Sequence, residues 1–165
     1  MITLFLVRHA KSSWKDQELT DRERPLNDRG KRDAPFMAKL LSERGVRPDI
    51  IITSPAVRAA TTAKFFSREM KYKVADIVSD EALYQASMDG ILQRVREIED
   101  RVKTAMVVGH NPEITLLSDF VTGGSIDDVP TCGIACIEFA FDHWRDVGRG
   151  NGILKYFEYP KKYFK

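Results

Sequence analysis

Two cysteines, three histidines and no apolar run near the ~20 residues that cross a bilayer are the scarcities of this 165-residue chain. Cys132 and Cys136 stand four residues apart in a strand-like stretch, where their Cα atoms would lie ~13 Å apart. That distance is beyond disulfide reach. Two buried thiols and three scattered histidines also lack the spacing of a zinc site, so no metal is expected. An excess of charge of one sign is missing too: 26 basic against 24 acidic residues leave a net charge of +2. This balance provides no electrostatic case for nucleic acid or an anionic membrane as partner. Met1 to Val7 is apolar but has neither the leading positive charge nor the length and small-residue cleavage site of a signal peptide. It reads as a buried strand, and the expected compartment is the cytoplasm.

What remains is ordinary globular composition, 43% hydrophobic and 30% charged. The length suits one domain over 1–165. There is no repeat and no low-complexity tract. Short apolar runs bounded by turn signals predict strands at Ile2 to Val7, Asp49 to Thr53, Val74 to Val78 and Thr104 to Val108. Amphipathic spacing predicts helices over 28–44, 56–70, 88–101 and 113–122. Gly45 marks the C-terminal cap of the first, and Pro35 within it predicts a kink or a late start. Two further strands, about 134–141 and 153–159, flank a glycine-bearing loop and predict an antiparallel edge. Strands alternating with helices imply an α/β fold: a three-layer sandwich with a mostly parallel sheet and helices on both faces. The segment from Lys11 to Pro25 fits neither pattern and, crowded with charge, predicts a mobile surface loop near the site.

Ligands of open α/β sheets gather beyond the carboxyl ends of the strands. The first strand is followed by Arg8-His9-Ala10, the second by Ser54-Pro55 with Arg58 shortly after, and the fourth by Gly109-His110-Asn111-Pro112. Taken singly, Arg8 reads as the partner of an acidic loop, His9 as a satisfied buried histidine, and the third motif as a strand-to-helix turn. Together they place two guanidinium forks and two imidazoles at one sheet edge. Ser54-Pro55 and Asn111-Pro112 each pair a preferred N-cap with proline at the first helical position, which would point free N–H groups into the same crevice. That set suits a tetrahedral dianion. His143, beside Asp142 and Trp144, reads as a surface histidine.

At these residues the sequence resembles the histidine phosphatase, or phosphoglycerate mutase-like, superfamily. Arg8-His9-Ala10 matches its Arg-His-Gly signature with alanine for glycine. Ser54-Pro55 with Arg58, Ala60 and Thr62 is similar to the second motif, and Gly109-His110-Asn111 to the third. The short length and Arg24-Pro25-Leu26-Asn27-Asp28-Arg29-Gly30 look most like the SixA-like phosphohistidine phosphatase branch. The resemblance implies a phosphoglycerate mutase-like fold and no cofactor. It implies His9 as the nucleophile that becomes a phosphohistidine, with Arg8, Arg58 and His110 holding the phosphoryl oxygens. It further implies a phosphorylated protein, bearing phosphohistidine, or a small phosphorylated molecule as the substrate.

Two departures from the family pattern matter. Phosphomonoesterases and mutases of the superfamily place a glutamate proton donor after the third strand. Aligned on Leu83, that position is Gln85 here, which has no acidic proton; Glu81, four residues earlier, is the possible replacement. Lys15 stands near where mutases often carry an asparagine contacting phosphate, and solvent is its expected environment. An enzyme without a donor is expected to favour P–N bonds or activated aryl esters. The alternatives are a broad-specificity small-molecule phosphomonoesterase and, in another class, a non-catalytic phospho-ligand binding module. A mutase is disfavoured because it needs the donor and a longer chain.

Overall fold

β1 (Ile2–Arg8) is apolar on consecutive residues because both of its faces are covered. In the computed structural model, which describes residues 1–165, Leu4 and Leu6 enter one core layer while Phe5 and Val7 enter the other. The period of two along a strand thus feeds two separate apolar layers. Helices α1 (Asp28–Glu43) and α2 (Val57–Glu69) close one layer through Met37, Leu41, Ala59 and Phe66. Helices α3 (Met88–Arg96) and α4 (Glu113–Thr122) close the other through Ile91, Val95, Leu117 and Val121.

The six strands lie in the order β3 (Val78–Ser79), β2 (Ile50–Thr53), β4 (Thr104–Gly109), β1, β5 (Ile134–Phe139), β6 (Gly152–Glu158). The first four in this order pair in parallel, whereas β5 and β6 are antiparallel additions at one edge. This is the three-layer α/β sandwich with an antiparallel edge that the strand–helix alternation predicts. β4 sits between β1 and β2, so three strand ends open on one crevice. The register aligns them: Arg8 pairs with Gly109, and Thr53 with Val108. His9, Ser54 and His110 therefore emerge side by side.

Several local expectations are corrected. The third strand is only Val78–Ser79, and Val74–Asp76 forms a 3₁₀ turn. Lys73 and Asp76 are solvated there, and the stretch has only β2 to pair with. α3 ends at Arg96 rather than 101, because Glu97, Glu99 and Asp100 would place negative charge at the negative end of the helix dipole. α1 starts neither late nor after Pro35: Asn27 caps it by accepting the Gly30 N–H at 2.9 Å, and the helix runs through the proline. Its end is as expected, with Gly45 following at φ +79°. The two Pro-containing caps also shift. α2 begins at Val57 after the cap Ala56, with Ser54 Oγ accepting the Ala56 N–H at 3.2 Å; α4 spans Glu113–Thr122 as expected, but its cap is Pro112 rather than Asn111.

The charged segment after β1 is a hydrogen-bonded strap. Ser12 bridges to Leu26, the Ser13 N–H donates to the Pro25 carbonyl at 2.8 Å, and the Asn27 N–H to the Lys11 carbonyl at 3.0 Å. Arg24, only 7% exposed, fills its interior: it donates to Ser12, to the Ser13 carbonyl and to Asp21, and its guanidinium lies 3.3 Å from the Trp14 ring centre. The strap crosses α1 at Gly30, where a β-carbon would stand 2.2 Å from the Lys11 carbonyl oxygen. Gly30→Ala is expected to destabilise the fold by about 3 kcal/mol, the upper range for overpacking, because backbone rather than a side chain must yield. Urea denaturation measures this, and a loss below about 1 kcal/mol would contradict the close approach.

Candidate active site

The His9 N–H leaves β1 donating to the Gly109 carbonyl at 3.0 Å. Next along the chain, the Ala10 N–H donates to Thr62 Oγ1 at 3.0 Å, and that hydroxyl donates to the Arg58 carbonyl at 2.8 Å. These two bonds fasten α2 to the end of β1 and bring Arg58 over the crevice. Arg8, His9, Arg58 and His110 line one cavity of about 330 Å³.

His9 is 8% exposed, and its Nδ1 lies 2.7 Å from the Ala10 carbonyl oxygen. A carbonyl only accepts, so Nδ1 carries the proton and Nε2 keeps its lone pair. Burial disfavours the charged ring and lowers its pKa to about 3; the Ala10 carbonyl opposes this, while His110 and both guanidiniums reinforce it. The His110 ring centre is 5.1 Å from that of His9, with Nε2 2.8 Å from Ser54 Oγ. Burial first, and Arg58 second, lower its pKa to about 4. At neutral pH both rings are neutral.

The two guanidiniums differ. Arg58 is 7% exposed and held from the strap, donating through Nη1 to the Asp21 carbonyl at 2.6 Å and through Nη2 to Asp21 Oδ2 at 3.0 Å. Arg8 donates through Nη1 to the Val129 carbonyl at 3.2 Å, but its buried Nε has no acceptor. An unpartnered buried donor costs about 1–3 kcal/mol. An oxyanion in the cavity would supply the acceptor.

The family model described as histidine phosphatase superfamily (branch 1) matches residues 4–129. The chain belongs to the histidine phosphatase superfamily. An uncharacterised protein of Mycobacterium tuberculosis strain H37Rv is 31% identical over 165 residues, spanning 94% of this chain and 100% of that relative. A solved structure described as a candidate phosphohistidine phosphatase SixA from Agrobacterium tumefaciens superposes with a TM-score of 0.83 at 27% identity, over 96% of this chain and 98% of that one. The protein histidine phosphatase SixA complexed with tungstate shares the fold, with a TM-score of 0.82 at 20% identity over 98% and 99% of the two chains. This histidine phosphatase is a phosphatase of the SixA-like architecture.

The two positions expected to bear on proton donation separate. Gln85 lines the cavity, from a turn with φ +54°. Glu81 faces away from it, exposed and in a bidentate ion pair with Arg22. Lys15 is solvent-exposed, as expected. His143 is half exposed beside Asp100, also as expected.

Three lining residues escape a reading of the sequence. Asp21 gathers Arg58, Arg24 and the Tyr84 hydroxyl, which donates to Oδ2 at 2.8 Å. Desolvation works against the Asp21 carboxylate, but the hydrogen bonds from Tyr84, Arg58 and Arg24 outweigh it and lower its pKa to about 2. Asp21 is therefore ionised and aims Arg58. Tyr84 stands beside His110, ring centres 5.8 Å apart. Glu113, the first residue of α4, also lines the cavity, and its buried Oε2 has no hydrogen-bond partner.

The neutral imidazoles carry a pH signature. Both bind protons less readily folded than unfolded, so the unfolded chain holds more protons below about pH 6.5, the ordinary histidine value. Their contribution is complete above that pH and is lost as the pH falls toward 4. Stability in urea is expected to drop by about 2 kcal/mol between pH 7 and 5.5, before carboxylates titrate. The two rings share it about equally, because both stay neutral in the folded protein across this range. A His9→Asn variant should show a shallower slope, and equal slopes would refute the assignment.

Proposed function

We propose that this histidine phosphatase removes the phosphoryl group from phosphohistidine on proteins, by way of a phosphohistidine at its own His9. The observation that supports this reading is the cavity that joins a neutral, singly oriented His9 to Arg8, Arg58 and His110, with Gln85, the residue that the sequence alignment sets where relatives carry the donor, also in its lining. His9 Nε2 attacks phosphorus, and the bond from phosphorus to the substrate imidazole breaks. Arg8 and Arg58 bear the charge on the phosphoryl oxygens and orient them for in-line attack. Water then cleaves the new P–N bond at His9 and inorganic phosphate leaves.

Leaving-group chemistry supports the substrate class. An alcohol resembles water, with a pKa of about 15.7, and departs poorly without a donor. An imidazole that carries a proton on its other ring nitrogen leaves as the neutral ring, the base of an acid of pKa near 6.5, and needs little help. General acid catalysis is typically worth ~10²–10⁴-fold. The thiols of Cys132 and Cys136, both free and buried, suit a reducing compartment such as the cytoplasm.

A second reading, a broad-specificity hydrolase of small phosphomonoesters, is favoured by the unpartnered Glu113 Oε2 in the same cavity. One experiment separates the two. Under the phosphohistidine reading, kcat/KM for a phosphohistidine peptide exceeds that for alkyl phosphates by at least about 10²-fold, and Glu113→Gln leaves the ratio unchanged. If Glu113 donates the proton, alkyl phosphates compete and Glu113→Gln slows them far more than p-nitrophenyl phosphate. Equal rates on peptide and alkyl substrates in the wild type would overturn the first reading.

A further inference from the structure

Beside the catalytic cavity lies a second one of about 420 Å³, and Arg8, Lys11 and Thr131 line both. The two adjoin across these three side chains. The far side of the second groove is built by Arg29 and Arg32 of α1 and by Lys161 near the C-terminal end. Five cationic side chains face two carboxylates, Asp33 and Asp128. The local surplus of three exceeds the +2 of the whole chain. Positive charge that the composition shows as balanced is therefore concentrated next to the site.

The acids do not silence it. Asp33 is 1% exposed and serves α1: Arg32 donates to its Oδ1 at 2.8 Å, and Arg29 approaches Oδ2 at 3.8 Å. Arg29 also donates to Thr131 Oγ1 at 3.0 Å, which aims it along the groove. The Arg32 guanidinium carbon lies over the Phe164 ring, 4.0 Å from its centre. Asp128 sits at the opposite rim, accepting from the Asn111 amide at 3.4 Å. The Lys11 and Lys161 ammonium groups have no acidic or hydrogen-bond partner at all. Pro130, Pro160 and Phe164 add an apolar wall.

We propose that this groove docks an acidic segment flanking the phosphorylated residue of a protein substrate. The proposal rests on the phosphatase reading above and adds to it the substrate's surroundings. Free lysines and arginine forks suit aspartate and glutamate side chains. The apolar wall suits the rest of a peptide, for which a second phosphate group would have no use. The shared lining of Arg8, Lys11 and Thr131 puts the groove next to the catalytic cavity, within reach of the residues that flank a phosphorylated side chain. The balanced remainder of the surface would then repel little, while the groove steers an acidic partner toward His9.

The test measures binding apart from turnover. Two fluorescent phosphohistidine peptides, alike except for glutamates against glutamines beside the phosphorylated residue, are titrated into the full-length His9→Ala variant at pH 8. The acidic peptide is expected to bind about tenfold tighter, since each exposed charge pair contributes a factor of about 1.4 to 5. The preference should shrink at high salt. The charge reversals Arg29→Glu and Lys161→Glu, made together outside the catalytic cavity, should abolish it. Equal affinities, or a preference that survives the reversal, would overturn the proposal. So would tripolyphosphate losing as much affinity on reversal as the peptide does, which would assign the groove to a second phosphate. Wild-type turnover of the same peptides reports on the phosphatase reading separately. If they are bound with the expected preference but never hydrolysed, that reading fails while the docking groove stands.

Discussion

His9→Ala is expected to lower turnover of any phosphorylated substrate by at least about 10⁴-fold, the scale seen when a covalent nucleophile is removed. The loss should come without unfolding, because the side chain makes one hydrogen bond, to the carbonyl beside it, and carries no charge when neutral. Rapid mixing with labelled phosphohistidine peptide, followed by an alkaline quench, should trap base-stable and acid-labile phosphate on the wild type and none on the variant. A binding module on this fold would trap none on either. Retained turnover in His9→Ala would move the chemistry to another residue, with His110 the first to examine.

Arg58→Ala should follow with a loss of about 10³-fold in kcat/KM, at the low end of what a transition-state arginine supplies to phosphoryl transfer. Two effects add. The clamp on the phosphoryl oxygens disappears, and Asp21 loses the guanidinium that accounts for much of its stabilisation as an anion at the cavity edge. The remaining Asp21 carboxylate, still bound by Arg24 and Tyr84, would then repel a dianion. Arg58→Lys should recover only part of the rate, since one ammonium cannot bind the Asp21 carbonyl, its carboxylate and a phosphoryl oxygen in the same fork geometry. Asp21→Asn in the Arg58→Ala background should improve phosphate affinity, which isothermal titration with inorganic phosphate would measure. A loss below tenfold in Arg58→Ala would place this guanidinium outside the reaction.

Much of the sheet is legible from residues 2–7 and 104–108, because strands covered on both faces must be continuously apolar. Arg8, His9, Arg58 and His110 are legible for a related reason: each lies at or shortly after the carboxyl end of an apolar strand, so its position comes from pattern alone. Val74 to Val78 misleads because four apolar residues in five look like a strand, whereas pairing needs a neighbour that the edge of the sheet provides for only two residues. Asp21 is invisible in sequence. It is one of eight charged residues in the strap, and only the crossing of that strap over α2 selects it to meet Arg58. Glu113 reads as an ordinary acidic residue at a helix start, and only the folded cavity shows an oxygen with nothing to bind. Tyr84 lies between the two residues that the missing donor draws attention to, and its hydroxyl points to a partner 63 positions away.

The place of β4 between β1 and β2 has a consequence for how the protein comes into being. On the ribosome, Arg8, His9 and Arg58 are all made well before residues 104–109 arrive to join their strands. A chain that has not reached β4 thus holds the reactive imidazole and both arginines but no crevice in which they meet. Even then the first strand waits for the Gly133 carbonyl, which receives the Arg8 N–H at 3.1 Å, and for the Cys132 N–H, which donates to the His9 carbonyl at 3.0 Å. The crevice therefore exists only once residues up to 133 have been made and folded against the first strand.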